Sequence, residues 1–243
     1  MRFYAKPGQT AYGEDIGILL LDSRAPFIRG DVGNAKSYAY PVRFKRVDGL
    51  SVERIFAHDP SFAEKMIQGA RELEREGVRG ITGDCGFMAL YQQQVKEAVA
   101  VPVFLSSLIQ IPFIRATLPK FAKVGIMTAN SDSLTAELFS KLEITIDESL
   151  VICGLQDSPA FYEAAIAETG SLDSDSIRQE VREAALEMIR TDPGIRSILL
   201  ECSMLPPYGA AVQEATGLPV YDFLTLINHV RSALVKEEFP DKI

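Results

Sequence analysis

A repeat constrains this chain more than any other feature. Shifting the 243-residue sequence by 117 positions lays residues 79–104 on 196–221 without a gap. The identical pairs are Arg79/Arg196, Ile81/Ile198, Cys85/Cys202, Tyr91/Tyr208, Val95/Val212, Glu97/Glu214, Ala98/Ala215, Pro102/Pro219 and Val103/Val220. Composition by itself gives roughly one or two matches over such a span. Asp84/Glu201 and Phe104/Tyr221 are conservative matches. A duplicated unit with a cysteine at the same point in each copy can set two thiols on opposite sides of one cleft. That arrangement suits proton removal from one face of a carbon and proton return on the other.

Around the repeat, short apolar runs alternate with helical patterns. Strands are expected at 15–21, 39–46, 78–82, 101–105, 122–128, 149–153, 195–201 and 218–221. Helices are expected to about residue 76 from a cap at Asp59 or Ser61, then over 87–98, from 105 to about 121, and over 130–141, 175–190 and 223–236. One more should start at Pro206 or Pro207. The predicted class is α/β, with two pseudo-symmetric domains, each a mostly parallel sheet flanked by helices. A second echo supports this: Asp15-Ile16-Gly17-Ile18 resembles Lys123-Val124-Gly125-Ile126, each opening a half. The expected division is 1–110 carrying Cys85, 111–225 carrying Cys202, and a terminal helix at 226–243 that packs back on the first half. The irregular stretch 22–49 is too long for an ordinary connection and reads as a lid or an interface.

Composition narrows the function. The net charge of −8 argues against a nucleic-acid partner. No apolar run is long enough to span a bilayer, so no membrane partner is expected. The N-terminus lacks a signal-peptide pattern, and the three cysteines include no CxxC pair, so free thiols in the cytoplasm are expected. His58, His229 and the scattered cysteines give no metal-ligand spacing, and no GxGxxG or GxxxxGK[ST] supports a nucleotide cofactor. Neither a metal nor a cofactor is predicted. A homodimer is the default assembly.

Ligands of open parallel sheets bind at the carboxyl ends of strands. Four such ends carry polar residues: Asp22-Ser23, Thr82-Gly83-Asp84-Cys85-Gly86, Thr128-Ala129-Asn130-Ser131 and Glu201-Cys202-Ser203. Backbone N–H groups at a helix start favour a carboxylate, and they favour thiolate over thiol. Cys85 and Cys202 are the candidate catalytic pair, whereas Cys153 ends an apolar strand and reads as core filler. Asp84 and Glu201 either orient the thiols or a substrate ammonium, or are ordinary helix-start carboxylates. Thr128, Asn130 and Ser131 either bind a substrate carboxylate or cap a helix. Arg24, Arg29 and Arg43 either contact an acidic side chain of the substrate or lie in solvent.

This pattern resembles the aspartate/glutamate/hydantoin racemase superfamily over nearly the whole chain. The most specific stretches are 82–86 and 200–208, supported by Asp22-Ser23 and 124–131. The resemblance implies cofactor-independent chemistry on a small anionic substrate, with Cys85 and Cys202 as the acid–base pair. It implies substrate-binding roles for Asp22, Ser23, Thr82, Gly86, Phe87, Thr128, Asn130, Ser131 and Ser203. Glutamate racemases carry Cys-Asn-Thr and Gly-Cys-Thr-His, where this chain has Cys85-Gly86-Phe87 and Glu201-Cys202-Ser203-Met204. With no histidine after the second cysteine, and with Phe87, Met88 and Met204 nearby, a more apolar pocket than glutamate needs is expected. The implied activity is an amino-acid-type racemase or epimerase. The alternatives are a hydantoin- or allantoin-type racemase and a maleate-type cis–trans isomerase. A two-lobed binding protein with inert thiols is the alternative of another class.

Overall fold

The computed structural model describes residues 2, 4, 5 and 7–239. Two four-stranded, wholly parallel sheets form its frame. The first contains β1 (Ile16–Leu20), β2 (Val42–Arg46), β3 (Gly80–Gly83) and β4 (Val103–Phe104), in the order β2-β1-β3-β4. The second contains β5 (Lys123–Thr128), β6 (Leu150–Gly154), β7 (Ile195–Leu200) and β8 (Val220–Tyr221), in the order β6-β5-β7-β8. The order is the same in both. Ile16 faces Val42 in one sheet and Val124 faces Leu150 in the other, so the duplication extends to the register.

The helices are α1 (Val52–Phe56), α2 (Ala63–Glu76), α3 (Gln92–Lys96), α4 (Ile111–Thr117), α5 (Ala136–Ser140), α6 (Pro159–Phe161), α7 (Ser174–Thr191), α8 (Gly209–Thr216) and α9 (Phe223–Leu234). Met66, Ala70 and Leu73 recur on one face of α2, and that face is buried. Gly77 ends the helix in the left-handed region at φ 99°. The paired glycines of the second echo have a packing role. A side chain at Gly17 would press on Leu73 of α2, and one at Gly125 on Met188 of α7. In each half a helix therefore lies close against the first strand.

Helices were less regular than the periodicity predicted. Residues 86–91 form a 3₁₀ turn before α3, and every one of the six is buried. The tight turn keeps this segment inside the core. A 3₁₀ turn at Ser107–Gln110 precedes α4, which stops at Thr117. In 130–141 only α5 is α-helical, capped by Thr135 through the Leu138 N–H. Two helical segments had no periodic signal because they are so short. These are α1, capped by Ser51, and α6, which runs on into a π-turn at Tyr162–Ile166.

The halves share a core. Phe87 and Leu90 from the first half belong to one buried cluster with Leu134, Leu138 and Phe139 from the second. Phe223, Leu226 and Ile227 of α9 cluster with Ile16, Ile18 and Phe104 of the first sheet. The stretch 22–49 is an interface segment: the Val32 N–H donates to the Ser203 carbonyl, and Gly30 lies against Pro207. No helix among the described residues is long and apolar enough to cross a membrane.

Candidate active site

The central strands β3 and β7 run to equivalent ends, each followed by an acid and then a cysteine. Asp84-Cys85 follows β3 and Glu201-Cys202 follows β7. Both thiols open onto one cavity of about 460 Å³, including its mouth. The first half contributes Leu21, Ser23, Phe27, Val52, Ile55, Phe56, Asp84, Cys85, Gly86 and Phe87. The second contributes Ala129, Ala165, Glu201, Cys202, Ser203 and Met204.

The walls combine aromatic rings, buried acids and sulfur. Phe56 meets Phe87 edge-on, with ring centroids 5.0 Å apart. Asp84 Oδ1 accepts the Leu21 N–H at 2.9 Å. Glu201 Oε2 accepts the Thr128 hydroxyl at 2.8 Å, while Oε1 has no hydrogen-bond partner. The Glu201 carboxyl group reaches across to Gly86, where a side chain would collide with it. Gly86 is therefore required by close approach rather than by a special backbone angle. Asp31, also buried, stands behind and takes the Gly33 N–H at 3.0 Å.

Among the described residues, no lysine, arginine or histidine lines the cavity. Arg43 is held elsewhere by Glu14 and Glu76. Burial therefore dominates the electrostatics. It raises the Asp84 carboxyl to about 7, against the Leu21 N–H, and the Glu201 carboxyl to about 7, against the Thr128 hydroxyl. Burial and then the Glu201 charge push the Cys85 thiol well above its usual range, and the same two causes raise Cys202. The thiolate preference expected from the strand-end position is outweighed here. The Phe87 N–H acts on the Cys85 sulfur and the Met204 N–H on the Cys202 sulfur, but burial among acids exceeds both. Burial among these acids therefore favours thiol over thiolate at both positions.

Five sequence candidates lie outside the cavity lining. Asp22 accepts the Gly49 N–H and faces Arg46, which fixes the turn after β2. The Thr82 hydroxyl donates to the Phe104 carbonyl inside the sheet. Thr128 acts only through Glu201. Asn130 caps the Asp132 N–H, and Ser131 is bound to Gln156. Cys85, Cys202, Ser23, Gly86, Phe87, Ser203, Asp84 and Glu201 all line the cavity, as does Met204, whereas Met88 is buried behind Gly83. Sequence reasoning missed Phe27, Val52, Ile55, Phe56 and Ala165. They come from the 22–49 segment and from the two short helical segments that lack periodicity.

Two clasps hold the halves together beside the cavity. Ser23 Oγ and the Arg24 N–H both donate to Glu168 Oε1. His58 Nε2 lies 2.7 Å from the Ser133 carbonyl oxygen. His58 and Glu168 are both left-handed, with φ of 53° and 48°, and each follows the helical segment after its sheet's edge strand. Among the described residues, no group of three His, Cys, Asp or Glu side chains converges as a metal site.

No protein-family model matches the chain. Among solved structures, the fold is similar to unliganded arylmalonate decarboxylase (TM-score 0.56, 17% identity, 93% of this chain and 94% of that one). It is likewise similar to a glutamate racemase isoform from Bacillus anthracis (TM-score 0.56, 14% identity, 92% and 85%). These likenesses bear on the fold, which is that of the aspartate/glutamate racemase superfamily. Among curated proteins, the chain is 34% identical over 231 residues to dimethylsulfoniopropionate lyase 6 of Emiliania huxleyi (strain CCMP1516), covering 90% of this chain. It spans 60% of that relative's length. It is 34% identical over 214 residues to the dimethylsulfoniopropionate lyase of Durusdinium sp. clade D, covering 85% of this chain and 70% of that protein. The homologues are enzymes, and the chain belongs to the dimethylsulfoniopropionate lyase family, built on the aspartate/glutamate racemase fold.

Proposed function

We propose that this protein is a cofactor-independent lyase that cleaves dimethylsulfoniopropionate, or a close 3-onium propionate, by removing the proton next to the carboxylate. The observation that carries this reading is the cavity wall: two thiols, buried acids and three phenyl rings, with no basic side chain among the described residues. An acidic amino acid with a second carboxylate would place it beside Asp84, with no cation there to neutralise it. A sulfonium suits the same wall, because aromatic faces and carboxylates both attract a desolvated cation.

The cation also answers the thiol problem. Burial, and then the neighbouring acid, raises both thiols; a positive group entering the cavity offsets both, so the substrate itself favours thiolate. A cysteine thiolate then takes the α-proton. The C–H electron pair forms the new double bond, the C–S bond breaks, and dimethyl sulfide leaves with the electron pair of that C–S bond. Acrylate remains, and the cysteine carries the proton.

Headspace detection of dimethyl sulfide from purified protein and dimethylsulfoniopropionate tests the reading. The wild type should release it, and at least one of Cys85→Ser and Cys202→Ser should lose about 10³-fold or more. No release from the wild type, or undiminished release from both variants, would overturn it. Racemisation of a small amino acid is the second reading, favoured by the presence of one thiol from each half. It requires both thiols, together with exchange of the α-hydrogen in D2O.

A further inference from the structure

We propose that Glu201 is a catalytic hydrogen-bond donor to the substrate carboxylate, its unpartnered Oε1 carrying a proton into the cavity between the two thiols. This assignment deepens the lyase reading and rests on it. Glu201 is fully buried, and its Oε2 is occupied by the Thr128 hydroxyl. Its Oε1 is a buried polar atom without a partner, in a residue that lines the cavity and presses against Gly86 of the opposite half. Buried polar atoms without partners are rare in folded proteins, and one in a residue that lines a ligand cavity is explained by the ligand it binds.

The chemistry needs such a donor. Removing a proton beside an ionised carboxylate gathers a second negative charge on the carboxylate oxygens, and the site must supply donors where that charge develops. No lysine, arginine or histidine among the described residues lines the cavity. The N–H groups of Phe87 and Met204 are directed at the two sulfurs. The Ser23 hydroxyl is given to Glu168. An ionised carboxylate can only accept, but a neutral one donates, and an apolar pocket keeps a carboxylic acid neutral near pH 7. Burial raises the Glu201 carboxyl against the Thr128 hydroxyl. The titratable groups that share the cavity with it are Cys85, Cys202 and Asp84, and none of these is a cation. The onium group then faces Asp84 and the phenyl rings, and the carboxylate faces Glu201.

The test is calorimetric binding of propionate, a product-like carboxylate, in buffers of different ionisation enthalpy. At pH 8 the wild type should take up close to one proton per propionate bound, and close to none at pH 6. Its affinity should fall about tenfold per pH unit above pH 7. Glu201→Gln keeps an N–H donor that does not titrate, so it should bind with no proton uptake and the same affinity at both pH values. Thr128→Val removes the hydrogen bond that favours the ionised form, so uptake should begin at a higher pH than in the wild type. Proton-independent binding by the wild type, unchanged uptake in Glu201→Gln, or no propionate binding by the wild type would each overturn the assignment. Dimethyl sulfide release by a wild type that binds propionate without a proton would sink this proposal and leave the lyase reading standing. Proton-coupled binding that Glu201→Gln abolishes, in a protein that releases no dimethyl sulfide, would do the reverse.

Discussion

At the residue scale, position in the sequence and environment pull the two thiols in opposite directions. Cys85 begins a 3₁₀ turn and Cys202 follows β7, so each sulfur has a backbone N–H directed at it. Yet burial beside Asp84 and Glu201 outweighs those N–H groups. The same carboxyls make stability depend on pH. Their folded pKa values of about 7 lie above the ordinary 3.8 and 4.5, so the native state holds protons that the unfolded chain releases. Their contribution is fully favourable below about pH 4, declines as pH rises toward 7, and then levels off. The loss is at most on the order of 3–4 kcal/mol for each. Denaturant titrations from pH 4.5 to 8 should show this decline, and Glu201→Gln should make it shallower. A slope unchanged by that substitution would show that Glu201 ionises normally.

At the element scale, the cavity is assembled from strand ends and from two short helical segments that sit beside clasps. The segment from α6 through the π-turn leads to Glu168, which crosses to the loop after β1. The segment around α1 leads to His58, which crosses to the loop after β5. Each crossing is made by a residue in the left-handed region, a conformation held only where the surroundings enforce it. Glu168→Ala loses both hydrogen bonds and keeps the strain, so it should destabilise by about 1–2 kcal/mol. Glu168→Gly loses the same bonds but relieves the backbone, and should lie closer to wild type. Both should speed iodoacetamide alkylation of Cys85 and Cys202, followed by mass spectrometry. Alkylation as slow as in the wild type would show that the clasp does not control access.

For the whole molecule, the two sheets depend on each other. The stretch 22–49 leaves the first sheet and lies on the second half's thiol loop, and α9 returns from the second half to the first sheet. Ile227 is fully buried in that return contact. Ile227→Ala should therefore cost about 2–5 kcal/mol, measured as a single transition in denaturant. Two separate transitions would mean that the halves unfold independently.

The duplicated segment by itself specifies two parallel sheets and matching strand ends, with a thiol and an acid at each. These were legible because strand ends and their polar residues are fixed by local pattern. Asp22, Thr82, Asn130 and Ser131 looked equally suited to a ligand, but their hydrogen bonds go to neighbouring loops and strands of their own half, which composition and spacing do not reveal. Phe27, Phe56 and Ala165 reach the cavity from segments without periodicity. The state of the thiols was decided by folding alone. A helix-start cysteine favours thiolate through its nearest N–H groups, but two of the acids that reverse this come from the other half or from a distant loop. Electrostatics in a dry cavity acts through space, and the distances are set only when both halves close on one another.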